Sequence, residues 1–134
     1  LFFQLCLIES EELIMKKFWN FSITQAGSLW MNIDDIQEIV GSKVALESWL
    51  HTDVRDFVRT LDYIDDVLVG NVKEDCLEGN VFIAYVKRDF TEIHYNFEDI
   101  DPSAKPCTVP TKLLREIVKA WLEEYEKFRA SKKK

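Results

Sequence analysis

Two histidines are the side chains that most hydrolytic mechanisms would need, and neither has suitable neighbours in the sequence. His51 follows Trp49 and Leu50 in an apolar helical pattern, and His94 lies near Glu92 in an alternating segment. Neither belongs to an H-x-x-x-H or H-x-x-E-H spacing, which could bind zinc. We therefore expect a structural or surface role for both histidines, and we expect no metal and no cofactor.

The common catalytic and nucleotide-binding motifs are also missing. The sequence contains no G-x-G-x-x-G, no G-x-x-x-x-G-K-S/T, no G-x-S-x-G and no C-x-x-C. Cys6, Cys76 and Cys107 share no metal-binding or redox spacing, which predicts free thiols in a reducing, cytoplasmic compartment. No apolar run approaches the ~20 residues that cross a bilayer, and the basic residues form no stripe interleaved with aromatics. We therefore expect neither membrane nor nucleic acid as a partner.

Acidic residues dominate the middle of the chain. Residues 32–101 contain seventeen Asp and Glu against six Lys and Arg, although the whole chain carries a net charge of −7. An acidic face on a small domain repels nucleic acid and anionic membrane and attracts basic protein surfaces. The last acidic cluster lacks the spacing of an EF-hand calcium loop. We expect three clusters to bind a protein partner, and their residues are Asp65, Asp66, Glu74, Asp75, Glu98, Asp99 and Asp101.

The first half of the chain predicts a hairpin followed by two helices. Residues 18–23 and 29–33 are rich in β-forming side chains and flank a turn at 25–28. An acidic start and a terminal Gly41 predict a short helix over residues 34–40. Ser42 is a suitable N-cap for a long central helix, whose apolar i, i+3, i+4 pattern runs from Leu46 to Leu61.

After Tyr63 the apolar period changes to two, which predicts strands. Candidate strands of an antiparallel meander cover residues 67–73, 81–87 and 90–97, and residues 99–110 are expected to form a loop. A C-terminal helix begins at Thr111 and carries a continuous apolar stripe. We expect Trp121 and Leu122 on this stripe to be largely buried, and we expect residues 129–134 to fray.

Together these elements predict an α+β fold, in which an antiparallel sheet of three to five strands packs against the long central helix and the C-terminal helix. Residues 15–134 are expected to form a single domain. Residues 1–14 leave two interpretations open. In one, they form a native helix whose apolar face packs on the domain. In the other, they are an extension translated in frame from a ribosome-binding site ahead of Met15.

About the last forty residues resemble small bacterial immunity proteins of polymorphic-toxin and contact-dependent growth-inhibition systems. An acidic strand and loop, Ile-His-Tyr-Asn-Phe-Glu-Asp-Ile at 93–100, precedes Val-Pro-Thr-Lys-Leu-Leu at 109–114 and Ile-Val-Lys-Ala-Trp-Leu at 117–122. The resemblance implies a cytoplasmic, non-enzymatic inhibitor that binds one toxin domain, often a nuclease with a basic cleft. An acidic inhibitor suits such a cleft because it occupies the place of the phosphate backbone.

Neutralisation of a cognate toxin is therefore the expected function, and two other functions stay open. One is an intracellular adaptor, or a phage-encoded inhibitor of a nucleic-acid-binding complex. The other is a small enzyme that uses His94 with Glu92 or Tyr95.

Overall fold

A computed structural model describes residues 17–57, 59–97 and 104–132 of the chain. The expectations for residues 1–14, and for Glu98, Asp99 and Asp101, lie outside these described residues. The described part contains a two-stranded hairpin, a five-stranded antiparallel sheet and three α-helices, which confirms the α+β class. Within it, no helix combines the length and the apolar composition that crossing a bilayer requires.

The N-terminal hairpin forms where the sequence predicts it. Strand β1 (Trp19–Ile23) pairs antiparallel with strand β2 (Leu29–Ile33). Leu29, Met31 and Ile33 alternate with less buried residues and enter the core. Because strand side chains alternate between two faces, β2 turns one apolar face toward the helices.

The main sheet has the order β3-β7-β6-β5-β4, and every neighbouring pair is antiparallel. One face of this sheet is buried by the helices, whereas the residues on the opposite face of β5, β6 and β7 are half-buried or exposed. The strands are β3 (Val40–Gly41), β4 (Glu74–Glu78), β5 (Phe82–Lys87), β6 (Phe90–Tyr95) and β7 (Cys107–Pro110).

Three α-helices and one 3₁₀ turn cover the buried face. They are α1 (Lys43–Thr52), the 3₁₀ turn (Val54–Asp56), α2 (Thr60–Leu68) and α3 (Thr111–Lys132). Helices α1 and α3 contact β6, β7 and the hairpin strand β2, and α2 contacts β4 and β5. The apolar stripe of α3 places Trp121 fully inside the core, as predicted, while Leu122 is half-buried rather than largely buried.

The long central helix predicted from Ser42 is wrong, because the chain folds this region as α1, the 3₁₀ turn and α2. Ser42 does cap α1, since its hydroxyl accepts a hydrogen bond from the Ala45 N–H. The break begins at Asp53, whose buried carboxylate accepts hydrogen bonds from the turn between β4 and β5. Both helices bury apolar side chains in one core, so the helical periodicity continues across the break and conceals it.

Two further sequence predictions are wrong in the region of the edge strands. Residues 34–40 form turns that lead into β3, and residues 67–73 contain the end of α2 rather than a strand. Gly41 has a φ of +91°, and a Cβ there would overlap the Pro106 carbonyl oxygen, so glycine is required for the pairing of β3 with β7. Gly70, with a φ of +87°, follows the end of α2.

The C-terminal part differs from the prediction at two places. Part of the predicted loop at 99–110 is the strand β7, which lies between β3 and β6 and buries Cys107 and Val109. Helix α3 also extends to Lys132 instead of fraying at 129. Lys132 Nζ donates a hydrogen bond to the Gly27 carbonyl oxygen at 3.0 Å and lies 4.8 Å from the centre of the Phe128 ring, which fastens the last turn to the hairpin.

Candidate protein-binding site

The strand β4 forms one edge of the main sheet and carries three carboxylates in five residues. Glu74 and Glu78 lie on the exposed face of the sheet, and Asp75 lies on the helix side. Cys76 separates the two glutamates on the exposed face. Edge strands offer unpaired backbone groups to other chains, so an acidic edge is a place where a partner of opposite charge can bind.

The predicted carboxylates of α2 are occupied by contacts within the protein. Asp65 Oδ1 accepts a hydrogen bond from Arg115 Nε on α3 at 2.7 Å, and this bond raises the pKa of Arg115 although burial acts against it. Asp66 Oδ1 accepts a bond from Asn71 Nδ2 at 3.2 Å, and its carbonyl accepts the Asn71 N–H. Asp65 therefore joins α2 to α3, and Asp66 joins α2 to the loop that follows it.

The predicted carboxylates of β4 are more available. Glu74 is exposed opposite Lys87 of β5, and Asp75 is half-buried with Oδ1 accepting the Cys76 N–H at 2.8 Å. The structure adds Glu78, which the sequence analysis did not include because it predicted no strand over residues 74–78. The sequence Glu-Asp-Cys-Leu-Glu has no alternation of polar and apolar residues, so it carries no clear strand signal.

On the exposed face of the sheet, called the open face below, aromatic side chains lie beside the carboxylates of β4. Tyr85 and Phe90 are 41% and 53% exposed. The His94 ring contacts the Tyr85 ring edge-on at 5.4 Å, and His94 Nε2 lies 3.5 Å from Glu92 Oε1. The open face consists of the outward residues of β4, β5 and β6, namely Glu74, Cys76, Glu78, Ile83, Tyr85, Lys87, Phe90, Glu92 and His94.

A groove of about 410 Å³ runs along the other side of β4. Its lining includes the buried Trp49 and Val54, the partly exposed Phe57 and Tyr63, and residues 75–79 of β4 and the turn after it. In the described part of the chain, no Lys or Arg lines this edge groove. The groove therefore combines apolar walls with an acidic rim.

A buried carboxylate fixes the end of this groove. Asp53 accepts hydrogen bonds from the N–H groups of Asn80, Val81 and Phe82 at 3.1, 3.2 and 2.8 Å. A Cβ on Gly79 would collide with the Asp53 carboxylate, so glycine permits this close approach. The cap ties the end of α1 to the turn between β4 and β5 and so sets the position of the edge strand.

The two described cysteines are free thiols of low reactivity. Burial raises the pKa of the Cys107 thiol to about 12. Local desolvation, followed by the charges of Glu78 and Asp75, raises the pKa of the Cys76 thiol above its ordinary value. Both thiols are therefore protonated at neutral pH, which disfavours nucleophilic chemistry at either position.

Recognition of a basic surface is the chemistry that these residues suit best. Carboxylates and exposed aromatic rings lie side by side on β4 and its neighbours, and β4 is an edge strand of the sheet that the described residues form. Among residues 17–57, 59–97 and 104–132, no group of three or more His, Cys, Asp or Glu side chains could hold a metal ion. Comparison of the chain with protein-family models, with curated proteins and with solved structures finds no match in any of the three.

Proposed function

We propose that this protein is a non-enzymatic binding protein of the cytoplasm that neutralises a cognate toxin, of the nuclease type, by blocking its basic active-site cleft. The observation that carries the proposal is the acidic edge strand β4, whose Asp75 and Glu78 line a groove that no basic side chain of the described residues lines. The toxin as partner follows from the resemblance of the C-terminal residues to immunity proteins.

Complementary charge acts first on the rate of association. Complementary charge can raise an association rate constant from about 10⁵–10⁶ M⁻¹s⁻¹ toward 10⁸–10⁹ M⁻¹s⁻¹ at low salt. Carboxylates that stay solvated at the rim contribute mainly in this way, whereas one that is desolvated against a cationic partner contributes about 2–5 kcal/mol to affinity. Lys87 opposite Glu74 reduces the local negative charge, so Glu78 and Asp75 are the stronger candidates for contact.

The alternative function also requires a basic partner, but that partner is not a toxin. An adaptor, or an inhibitor of a nucleic-acid-binding complex, would also use an acidic surface that competes with phosphate. The two are separated by the captured protein: an immunity protein binds the product of the toxin gene directly upstream, and an inhibitor of host complexes binds a chromosomally encoded nucleic-acid-binding protein.

The test is a pull-down with the product of the upstream gene, followed by association kinetics at two salt concentrations. Glu78→Lys and Asp34→Lys change the net charge equally, but Asp34 is exposed beside β2, away from β4. We expect Glu78→Lys to slow association roughly tenfold at low salt, and Asp34→Lys to slow it much less. Equal effects of the two substitutions, or association that does not respond to salt, would contradict the proposed mechanism.

A further inference from the structure

We propose that the partner's contacting segment is an extended chain of alternating basic and apolar residues, which enters the edge groove and pairs with β4 as a sixth strand of the sheet. This inference rests on the proposed function for the charge of the partner. It adds the mode of binding, which we derive from the hydrogen-bond register of β4.

Within residues 17–57, 59–97 and 104–132, the register shows which backbone groups of β4 have no partner in the sheet. The Gly79 N–H donates to the Phe82 carbonyl oxygen at 2.9 Å, which places these two residues at a hydrogen-bonded position of the ladder, while the Phe82 N–H donates to Asp53. Hydrogen-bonded pairs alternate along an antiparallel ladder, and the same register continues through β4 and β5. Residues 77 and 75 therefore bond to β5, while the N–H and C=O groups of Glu74, Cys76 and Glu78 point away from the sheet.

The edge groove lies against this strand. Residues 75–79 line it together with Phe57 and Tyr63, which are 49% and 38% exposed. Side chains of an added strand alternate between two faces. One set would contact Phe57 and Tyr63 on the helix side, and the other would lie beside Glu74 and Glu78 on the open face. The first position favours apolar residues, and the second favours Lys or Arg, since opposite charges on neighbouring strands attract.

Asp75 protects the same edge against unsuitable partners. Its Oδ1 accepts the outward Cys76 N–H at 2.8 Å, which occupies the central donor of the edge. A second copy of β4 would bring further carboxylates against Glu74, Asp75 and Glu78, and like charges on paired strands are unfavourable. A basic strand avoids this repulsion, because its cationic side chains would lie on the open face beside Glu74 and Glu78, which carry the opposite charge.

Two end-capped peptides of eight residues test the mode of binding. One alternates lysine with valine, and the other alternates glutamate with valine. The readout is hydrogen exchange of individual amides in the full chain, followed by NMR. At a lysine–valine peptide concentration ten times its Kd, exchange at Glu74 and Glu78 should slow about tenfold. The amides of Asp75 and Leu77 already bond to β5 and should change little. Glu78→Lys should weaken binding at least several-fold more than the charge-matched Asp34→Lys.

The possible outcomes separate this inference from the proposed function. Binding of the lysine–valine peptide without slower exchange at Glu74 and Glu78 overturns strand addition, but it leaves recognition of a basic partner intact. No binding of that peptide also overturns strand addition, and the pull-down then remains the test of the function. Equal binding of both peptides contradicts the electrostatic basis of the proposed function itself. Protection of Glu74 and Glu78 without peptide, rising with protein concentration, would assign the edge to a second copy and overturn the inference.

Discussion

The two faces of the main sheet use the same strands for different purposes. On the helix-covered face, Ala84, Val86 and Ile93 are fully buried. On the open face, their immediate neighbours Tyr85 and His94 remain partly exposed beside acidic residues. Because successive strand residues point in opposite directions, each strand contributes alternately to stability and to a surface.

This difference separates residues that hold the fold from residues that are available for binding. The covered face is apolar and continuous with the core around Trp121, whereas the open face mixes aromatic rings with carboxylates. Substitutions of such surface residues change the free energy of unfolding little, so the composition of the open face can vary with the partner. Substitutions on the two faces should therefore have very different effects on unfolding.

The largest expected effect is at Trp121, in the core beneath the covered face. Its ring is fully buried and stacks on Tyr125 at 5.7 Å, so Trp121→Ala should lower the free energy of unfolding by about 3–5 kcal/mol. Its buried Nε1–H has no hydrogen-bond partner within the described residues. Trp121→Phe should therefore cost clearly less than the alanine variant, since it keeps a ring and removes an unsatisfied donor. Urea denaturation measures both, and an equal loss for the two variants would contradict the role assigned to the indole N–H.

Ile93 and His94 are adjacent residues of β6 that lie on opposite faces of the sheet. Ile93 is fully buried, so Ile93→Ala should cost about 2–5 kcal/mol. His94 lies half-buried on the open face, where it contacts Tyr85 and Glu92, so His94→Ala should cost less than about 1 kcal/mol. Both values come from urea denaturation of the single variants. Similar losses at the two positions would show that the open face is part of the stabilising core.

The sequence revealed the covered face better than the edge of the sheet. The stripe of α3 fixes both the element type and the buried side, and burial of Trp121 is confirmed. The segment of β5 is apolar on both faces, so the sequence indicates a strand there without its buried side. The short strands β3 and β7 gave no comparable signal, because their pairing depends on Gly41 and on residues far apart in sequence. Strand β4 was missed since its acids resemble a solvated loop.

The break in the central helix shows why the candidate site was only partly predictable. Asp53 reaches across 27 to 29 positions to the Asn80, Val81 and Phe82 N–H groups, and no local pattern indicates such a contact. The acidic excess drew attention to Glu74, Asp75 and Asp65 alike, and composition could not show that Asp65 bonds to Arg115. Charge along the chain thus located the acidic clusters, and the fold distinguishes available carboxylates from occupied ones.

A third prediction concerns Asp53, which connects the core to the edge strand. Asp53→Ala leaves three backbone N–H groups without their acceptor, so the free energy of unfolding should fall by about 2–3 kcal/mol. The matched control is Asp56→Ala on the 3₁₀ turn, where the carboxylate is exposed and the change should stay within about 0.5 kcal/mol. Hydrogen exchange of the Phe82 amide should also accelerate in Asp53→Ala. Unchanged exchange there would mean that the turn between β4 and β5 holds without the carboxylate.

The smallest expected effect is the reactivity of Cys76, between Glu74 and Glu78 on the open face. Its pKa is raised by desolvation first and then by the charges of Glu78 and Asp75. A raised thiol pKa leaves less thiolate at a given pH, so alkylation by iodoacetamide at pH 8 should be slower than for an unperturbed thiol. Glu78→Gln removes a negative charge, lowers the pKa and should accelerate alkylation.

High salt should accelerate alkylation of the wild type as well, by screening the same charges, while the part due to desolvation persists. A Cys6→Ser background removes the third thiol, and the fully buried Cys107 should stay unreactive until the protein unfolds. If Glu78→Gln and salt both leave the rate unchanged, the carboxylates of β4 are too well solvated to act on a neighbour. They would then also be too well solvated to guide a basic strand into the edge groove at short range, and the difference between the two faces would rest on apolar burial alone.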